Sequence, residues 1–195
     1  MPALGAEALD TLFRAARSRY RWIAEPVGDD VLRALYDLMR FGPTSANSSP
    51  ARILFLRTVD AKERLRPALS AGNVDKAMSA PVVAVVAHDP EFYEQLPRLY
   101  PQGDARAWFA GNALLAEETA VRNSTLQGGY LILAARAVGL DVGPMSGFDR
   151  DRVDAVFMAG RGWRSNFLAC LGHADATAEH DRAPRLEFDE ACVLL

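Results

Sequence analysis

The chain has 195 residues, 50% hydrophobic and 24% charged, with 14 Gly, 11 Pro and a formal net charge of −3. That balance describes a globular chain and excludes a disordered or collagen-like one; at this length folding buries roughly 70% of the unfolded surface, so no disulfide staples are needed. The charge balance gives no general reason to expect nucleic acid or an anionic membrane as partner. The two cysteines, Cys170 and Cys192, fit a reducing cytosol and are too few for a zinc or iron–sulfur site. No apolar run approaches the roughly 18–20 residues that span a bilayer, and Met1 to Asp10 lacks a basic stretch followed by a hydrophobic one. The expectation is a soluble, untargeted, cytoplasmic chain. With no repeat, low-complexity tract or linker, it is expected to form a single domain over residues 1–195.

In chain order, Ala6 to Arg19 carries apolar residues at Leu9, Leu12, Phe13 and Ala16, the spacing of an amphipathic helix. Asp29 or Asp30 can cap a second helix whose inward face is Val31, Leu32, Leu35, Leu38 and Met39, and Gly42-Pro43 stops it. The period then changes. Arg52 to Arg57 is a short apolar run with charged ends, and Pro81 to Ala87 is a β-branched run of the length of a buried strand. Between them, Ala61 to Leu69 reads as a helix broken by Pro67. Glu91 to Phe109 mixes aromatics with Pro97, Pro101 and Gly103 and reads as helix fragments and loop.

Asn112 to Val138 is the longest helical pattern, ending at Gly139 as a C-cap. It is apolar nearly all round, which predicts burial. Its small residues, Gly128, Gly129, Ala134, Ala135 and Ala137, leave room for another helix, such as one from a second subunit, to approach closely. A short segment at Leu140 to Pro144, a helix from near Asp149 and a strand candidate at Asn166 to Gly172 complete the pattern. Few strands in irregular alternation with helices predict an α+β, layered α/β fold with a central sheet wrapped by helices.

Four segments stand out chemically. Gly42-Pro-Thr-Ser-Ala-Asn-Ser-Ser-Pro50 crowds hydroxyls and an amide between two prolines; it suits a ring with alternating C=O and N–H groups, and equally an ordinary connecting turn. Arg17-Ser-Arg-Tyr-Arg21 sits where the first helix ends, and Arg182-Ala-Pro-Arg185 supplies two further cations. Together they can hold a phosphate by bidentate, charge-assisted hydrogen bonds, or the first cluster can simply complement a helix dipole. Ala71 to Lys76 reads as a loop offering the Asn73 amide and the Lys76 ammonium. Of 22 basic residues only Lys62 and Lys76 are lysine, so each stands apart from the generic positive charge that arginine supplies elsewhere in the chain. In Gly143-Pro-Met-Ser-Gly-Phe-Asp149 two glycines allow backbone N–H groups to approach a flat ligand, and Asp149 can serve as an N-cap. There is no dinucleotide fingerprint, Walker loop or zinc-protease motif, no nucleophile elbow, and His88, His173 and His180 are too far apart to form a local metal motif.

Taken together and in this order, these segments resemble the FMN-dependent nitroreductase family over essentially the whole chain. The resemblance is carried by Arg17-Ser18, Glu25-Pro-Val27, Pro43 to Asn47 with Pro50, Asn73, Lys76 and Pro144 to Asp149. It is similar in particular to the malonic semialdehyde reductase branch, through Phe41 to Asn47, Gly103 to Arg106 with Trp108-Phe109, Leu115 to Thr119, Arg122 to Ser124, Gly143 to Asp149 and Glu190 to Cys192.

The resemblance implies a nitroreductase-like fold with a mostly antiparallel sheet, and an intertwined homodimer with FMN at the subunit interface. It places Arg17 and Ser18 at the FMN phosphate, with Arg185 and Arg182; Tyr20 stands where another basic residue is usual, which leaves Arg19 or Arg21 as its substitute. Asn73 and Lys76 are placed at the isoalloxazine edge, where a cation tunes the ring's electronics. Pro43, Thr44, Ser45 and Asn47 are placed in a loop reaching the flavin across the interface, and Pro144, Met145, Ser146 and Gly147 against the ring, with Ser146 replacing an acidic residue of some members. The implied activity is hydride transfer from NADPH or NADH through FMN to an acceptor. For the branch that acceptor is malonic semialdehyde, reduced to 3-hydroxypropionate in pyrimidine breakdown, with Arg106 and Arg122 as candidates to anchor its carboxylate. The alternatives are a broad nitro, quinone or enone reductase and a non-catalytic flavin-binding protein.

Overall fold

The apolar runs pair into one antiparallel sheet. Its strands are β1 (Ala51–Leu56), β2 (Val82–His88), β3 (Asp141–Met145) and β4 (Arg164–Gly172), in the order β1-β2-β4-β3. This computed structural model describes residues 2–175, 177 and 181–195. β2 lies inside the sheet and is buried along its whole length. Its side chains alternate between two cores: Val82, Ala84 and Val86 on one face, Val83, Val85 and Ala87 on the other. Helices cover both faces, so the strand reads as one continuous apolar run rather than as an alternating one.

On the first face lie α2 (Asp29–Met39) and α6 (Ala113–Ala137), contributing Leu32, Leu35, Met39, Leu131, Ala134 and Ala135. The other face packs against α3 (Val59–Leu65), α4 (Val74–Ser79), α7 (Arg150–Val153) and Trp22. A smaller cluster around Phe92 and Phe109 gathers α5 (Leu96–Leu99) and the start of α6. The layered α+β architecture is the one the sequence pattern predicts. No helix is long and apolar enough to cross a membrane among the described residues.

Several expectations need correction. The first helix is α1 (Ala6–Leu9), continued by a π-helical stretch to Arg14. It ends early because the chain is recruited to the sheet: Ser18 bridges to Val142, and the Arg19 N–H donates to the Val142 carbonyl at 3.0 Å. Its apolar stripe is not buried by this chain, and Phe13 is half exposed. Gly28 takes the N-cap position of α2, with Asp29 and Asp30 in the first turn, and Leu38 faces outward. α3 begins before Ala61 because Thr58 caps it, its side chain accepting from Ala61 N. Residues 71–76 are not a loop: a short 3₁₀ turn leads into α4.

α6 starts at its Asn112 cap and ends before Gly139, whose φ of +83° is the left-handed C-cap geometry. Only one of its faces is buried; Leu114, Val121 and Leu126 are exposed. Gly128 does not admit another helix. A Cβ there would lie 2.4 Å from the Phe167 ring, so the glycine lets α6 settle on its own sheet. Gly129 has no neighbour within 4 Å of such a Cβ. Gly128→Ala is expected to cost about 1–3 kcal/mol through overpacking, measured as a lower denaturant midpoint.

His88, at the end of β2, is fully buried; His180 lies outside the described residues. The His88 Nε2 meets Glu117 Oε1 at 3.1 Å, and its Nδ1 has no partner among the described residues. Burial, opposed by Glu117, lowers its pKa below 6.5. As pH falls below that value the unfolded chain binds a proton that the folded chain resists, so stability is lost on acidification. Urea midpoints at about pH 5 and pH 7.5 are expected to differ more in the wild type than in His88→Asn.

Candidate functional site

Lys76 leaves the middle of α4 and is almost fully buried. Its ammonium donates to the Pro144 carbonyl at 3.0 Å and lies 4.8 Å from the centre of the Tyr20 ring. Burial lowers its pKa below the ordinary lysine value. The Cys170 thiol beside it is pushed up to about 12 by burial and stays protonated, so it contributes no neutralising charge at neutral pH. No carboxylate pairs with Lys76 among the described residues.

Asn73 precedes α4, and its Nδ2 donates to the Gly147 carbonyl at 2.9 Å, which also accepts from Ser70 N at 3.1 Å. The chain itself fills the space at both glycines of this strand and loop. A Cβ on Gly143 would lie 2.3 Å from the Arg19 carbonyl oxygen and 2.6 Å from Lys76 Cε; one on Gly147 would lie 2.6 Å from Asn73 Nδ2. Asn73, Lys76, Pro144 and Gly147 are therefore brought together by backbone that only glycine permits. Met145 is buried within β3, and the Ser146 carbonyl accepts from Phe148 N.

Tyr20 also lines a cleft of about 440 Å³, with Arg17, Ser18, Arg136, Asp181, Arg182 and Arg185 among others. Arg17 Nη1 donates to the carbonyls of Arg14, Ala15 and Ala16 at 3.1–3.2 Å. Arg182 Nη2 reaches those of Arg14 and Ala16, and Arg136 Nη1 that of Leu12. These cations complement the end of the first helix, as a dipole argument expects. Unlike Arg14, Arg52 or Arg66, none of Arg17, Arg136, Arg182 and Arg185 has a carboxylate partner among the described residues. Burial, then the charge of Arg182, lowers the pKa of Arg136. Four guanidinium groups and one carboxylate, that of Asp181, thus line the cleft, an excess of charge-assisted donors over acceptors. Sequence reasoning missed Arg136, whose signal was a cation in the last turn of the long helix.

Arg19 lies outside this cleft. Its Nε pairs with Asp141 Oδ1 at 3.0 Å, while Asp141 Oδ2 accepts from Ala174 N, tying the chain after the first helix to β3. Arg106 pairs through two nitrogens with Glu94 at 2.6 and 2.8 Å, and Arg122 pairs with Glu118. Neither lines the clefts beside Tyr20.

The loop from Pro43 to Asn47 sits elsewhere. It precedes β1 at one edge of the sheet, while Pro144 lies on β3 at the opposite edge, roughly 14 Å away across three strand spacings. Asn123 Oδ1 accepts from Ser45 N at 2.8 Å, Gln127 Oε1 from Ala51 N at 2.9 Å, and Tyr130 OH donates to the Pro43 carbonyl at 3.0 Å. Their spacing along α6 puts them on one stripe. Asn47 Nδ2 donates to the Leu99 carbonyl, and Thr44 Oγ1 accepts from Ser49 N. Ala46, Asn47 and Ser49 have φ of +49°, +50° and +41°, a strained run that persists only where its surroundings over-determine it. Sequence reasoning missed the Asn123, Gln127 and Tyr130 anchors; polar residues in register on an otherwise apolar helix were the available signal.

Residues 13–173 match the Nitroreductase family. The chain belongs to that family. Solved structures agree on the fold. A nitroreductase-type protein of Bacillus subtilis superposes with a TM-score of 0.88 at 20% identity, covering 98% of this chain and 100% of its own. One from Exiguobacterium sibiricum, in complex with FMN, gives 0.86 at 18% identity over all of both chains. An NAD(P)H:FMN oxidoreductase-type protein of Staphylococcus epidermidis gives 0.84 at 17% identity, covering 100% of this chain and 98% of its own.

Sulfate or inorganic phosphate is expected to raise the melting midpoint with concentration by binding the arginine cleft of the folded chain. Arg17→Ala or Arg182→Ala removes most of that rise. Arg40→Ala, which deletes an exposed cation already paired with Asp37, leaves it intact.

Proposed function

We propose that the chain is an FMN-dependent NAD(P)H oxidoreductase that works as a homodimer and reduces malonic semialdehyde. One observation carries the flavin assignment. A buried ammonium and a cleft of arginines, both without a carboxylate partner among the described residues, adjoin Tyr20, and the Ser18–Val142 bridge ties that segment to the β3 edge. A ligand with a polar ring edge and a phosphate tail matches that pair of sites. The donor set fits FMN: Arg17, Ser18, Arg182 and Arg185, with Arg136, would hold the phosphate, and Asn73 and Lys76 the ring edge.

FMN, when bound, supplies a carrier that accepts hydride from NAD(P)H and delivers it to the acceptor. The protein's own contribution is to position and to tune. Lys76 keeps a positive charge near the ring in a poorly solvated setting, where it acts more strongly than it would in water. Asn73 and Gly147 define the neighbouring wall. The Pro43 to Asn47 loop, held in a strained form on the far edge of the sheet, is available to the site of a second copy. Support for that second copy comes from the exposed apolar side chains of Phe41, Leu114, Leu186, Phe188, Val193 and Leu194, each more than half exposed in one chain. The free cysteines accord with a cytoplasmic setting.

Malonic semialdehyde as acceptor rests on the sequence resemblance. A second reading, reduction of nitro, quinone or enone acceptors, is favoured by the ion pairs of Arg106 and Arg122, which leave neither guanidinium uncommitted for a substrate carboxylate.

The purified protein is expected to retain FMN and to lose the oxidised-flavin absorbance on anaerobic addition of NADPH or NADH. Malonic semialdehyde is then expected to restore it. Restoration by nitroarenes or quinones and not by the aldehyde selects the second reading, bound flavin that neither nicotinamide bleaches indicates a binding protein, and failure to retain FMN overturns the flavin assignment.

A further inference from the structure

The helix that presents Lys76 ends without the usual backbone devices. α4 stops at Ser79, Ala80 is extended at φ −67° and ψ 137°, and Pro81 follows. No left-handed glycine turns the chain back onto the last carbonyls, and proline has no N–H to offer them. Carbonyls at a helix end need partners, since burying one unpaired is costly.

Side chains from three directions supply those partners. The Trp22 indole N–H donates to the Lys76 carbonyl at 3.1 Å, and the Cys170 thiol approaches the same oxygen from β4 at 3.7 Å. The Ser79 hydroxyl donates to the Asp75 carbonyl at 2.6 Å. The Lys62 ammonium, from α3, donates to the Met78 carbonyl at 3.0 Å and to that of Ala80 at 2.7 Å.

Lys62 is the decisive member of this set. It is buried, it has no carboxylate partner among the described residues, and burial lowers its pKa as it does for Lys76. A compact ammonium can direct separate N–H groups at two converging carbonyls, whereas a planar guanidinium fork is shaped for a carboxylate. In a chain with 22 basic residues, the only two lysines are thus both buried donors to backbone carbonyls, one at the end of α4 and one issuing from it.

We propose that Lys62 is a positioning residue: by tying the Met78 and Ala80 carbonyls to α3 it sets where α4 ends, and so where the Lys76 ammonium meets the Pro144 carbonyl. The functional meaning of this placement rests on the reading of Lys76 as the cation facing the flavin; the geometric link between the two lysines does not.

With only two lysines, labelled lysine gives one side-chain Cε–Nζ signal per site, and Lys62→Met leaves that of Lys76 alone. In the purified protein, Lys62→Met is expected to displace the Lys76 signal and its titration midpoint. It is also expected to weaken FMN binding about tenfold and to shift the midpoint potential of the bound flavin. Lys62→Gln, which keeps an N–H donor, recovers part of each effect and carries the comparison if Lys62→Met does not fold. Leu35→Ala, a core truncation in α2, lowers stability and moves neither the signal nor the potential. A Lys76 signal and titration unchanged in the Lys62 variants overturn the proposal, even where stability falls. Lys76→Met tests the underlying reading separately: unchanged FMN affinity and potential in that variant overturn the flavin assignment of Lys76, whereas a change there with none in Lys62→Met overturns only the role of Lys62.

Discussion

Burying an ammonium without a carboxylate beside it is costly, and much of the molecule around Lys76 is arranged to make that arrangement tenable. The Pro144 carbonyl and the Tyr20 ring face the charge directly. Gly143 lacks a side chain because the lysine stem and the Arg19 carbonyl occupy the space where one would stand. Trp22 and Cys170 converge on the lysine's own carbonyl. The first two of these contacts serve the charge, and the last two serve the helix-end backbone that carries it.

The same logic explains the arginine cleft. Among the described residues, Arg17, Arg136, Arg182 and Arg185 are held by backbone carbonyls rather than carboxylates, which orients the guanidinium groups without neutralising them. Other arginines are matched to a neighbouring acid, as with Arg106 and Glu94 or Arg66 and Glu63. Exposed pairs of that kind contribute little to stability and are screened by salt. Arg33, Arg98 and Arg161 also lack a carboxylate partner among the described residues, so what sets this surface apart is the convergence of four arginines on one cleft, and the arginine count of the chain carries no trace of it.

Strand order has a consequence for how a complete site is assembled. The loop before β1 and the segment on β3 occupy opposite edges of the sheet, with β2 and β4 between them. Asn123, Gln127 and Tyr130 brace that loop into left-handed backbone at Ala46, Asn47 and Ser49. Non-glycine residues in such conformations carry strain that a plain connector could relax. Under the proposed function, the two edges would contribute to one site only through a second copy.

Strands, the long helix and its Asn112 and Gly139 boundaries were legible along the chain, because apolar period and capping chemistry are local properties. Arg17-Ser18 and Asn73 with Lys76 were legible as unusual residue groupings, though not the contacts they make with Gly147 and Pro144, and the order of the segments carried the family resemblance. Partner choice was not legible. Nothing near Arg19 in sequence announces Asp141, nothing near Arg106 distinguishes its pairing with Glu94 from an open cation, and the face of Gly128 could be assigned only once Phe167 was seen against it. Such contacts join residues far apart in the chain and depend on which strand neighbours which. Local chemistry thus determined the elements and the candidate groups, while the packing of sheet, α4 and α6 decided which charges were left unpaired, because only a folded chain brings distant acids and bases within reach of one another.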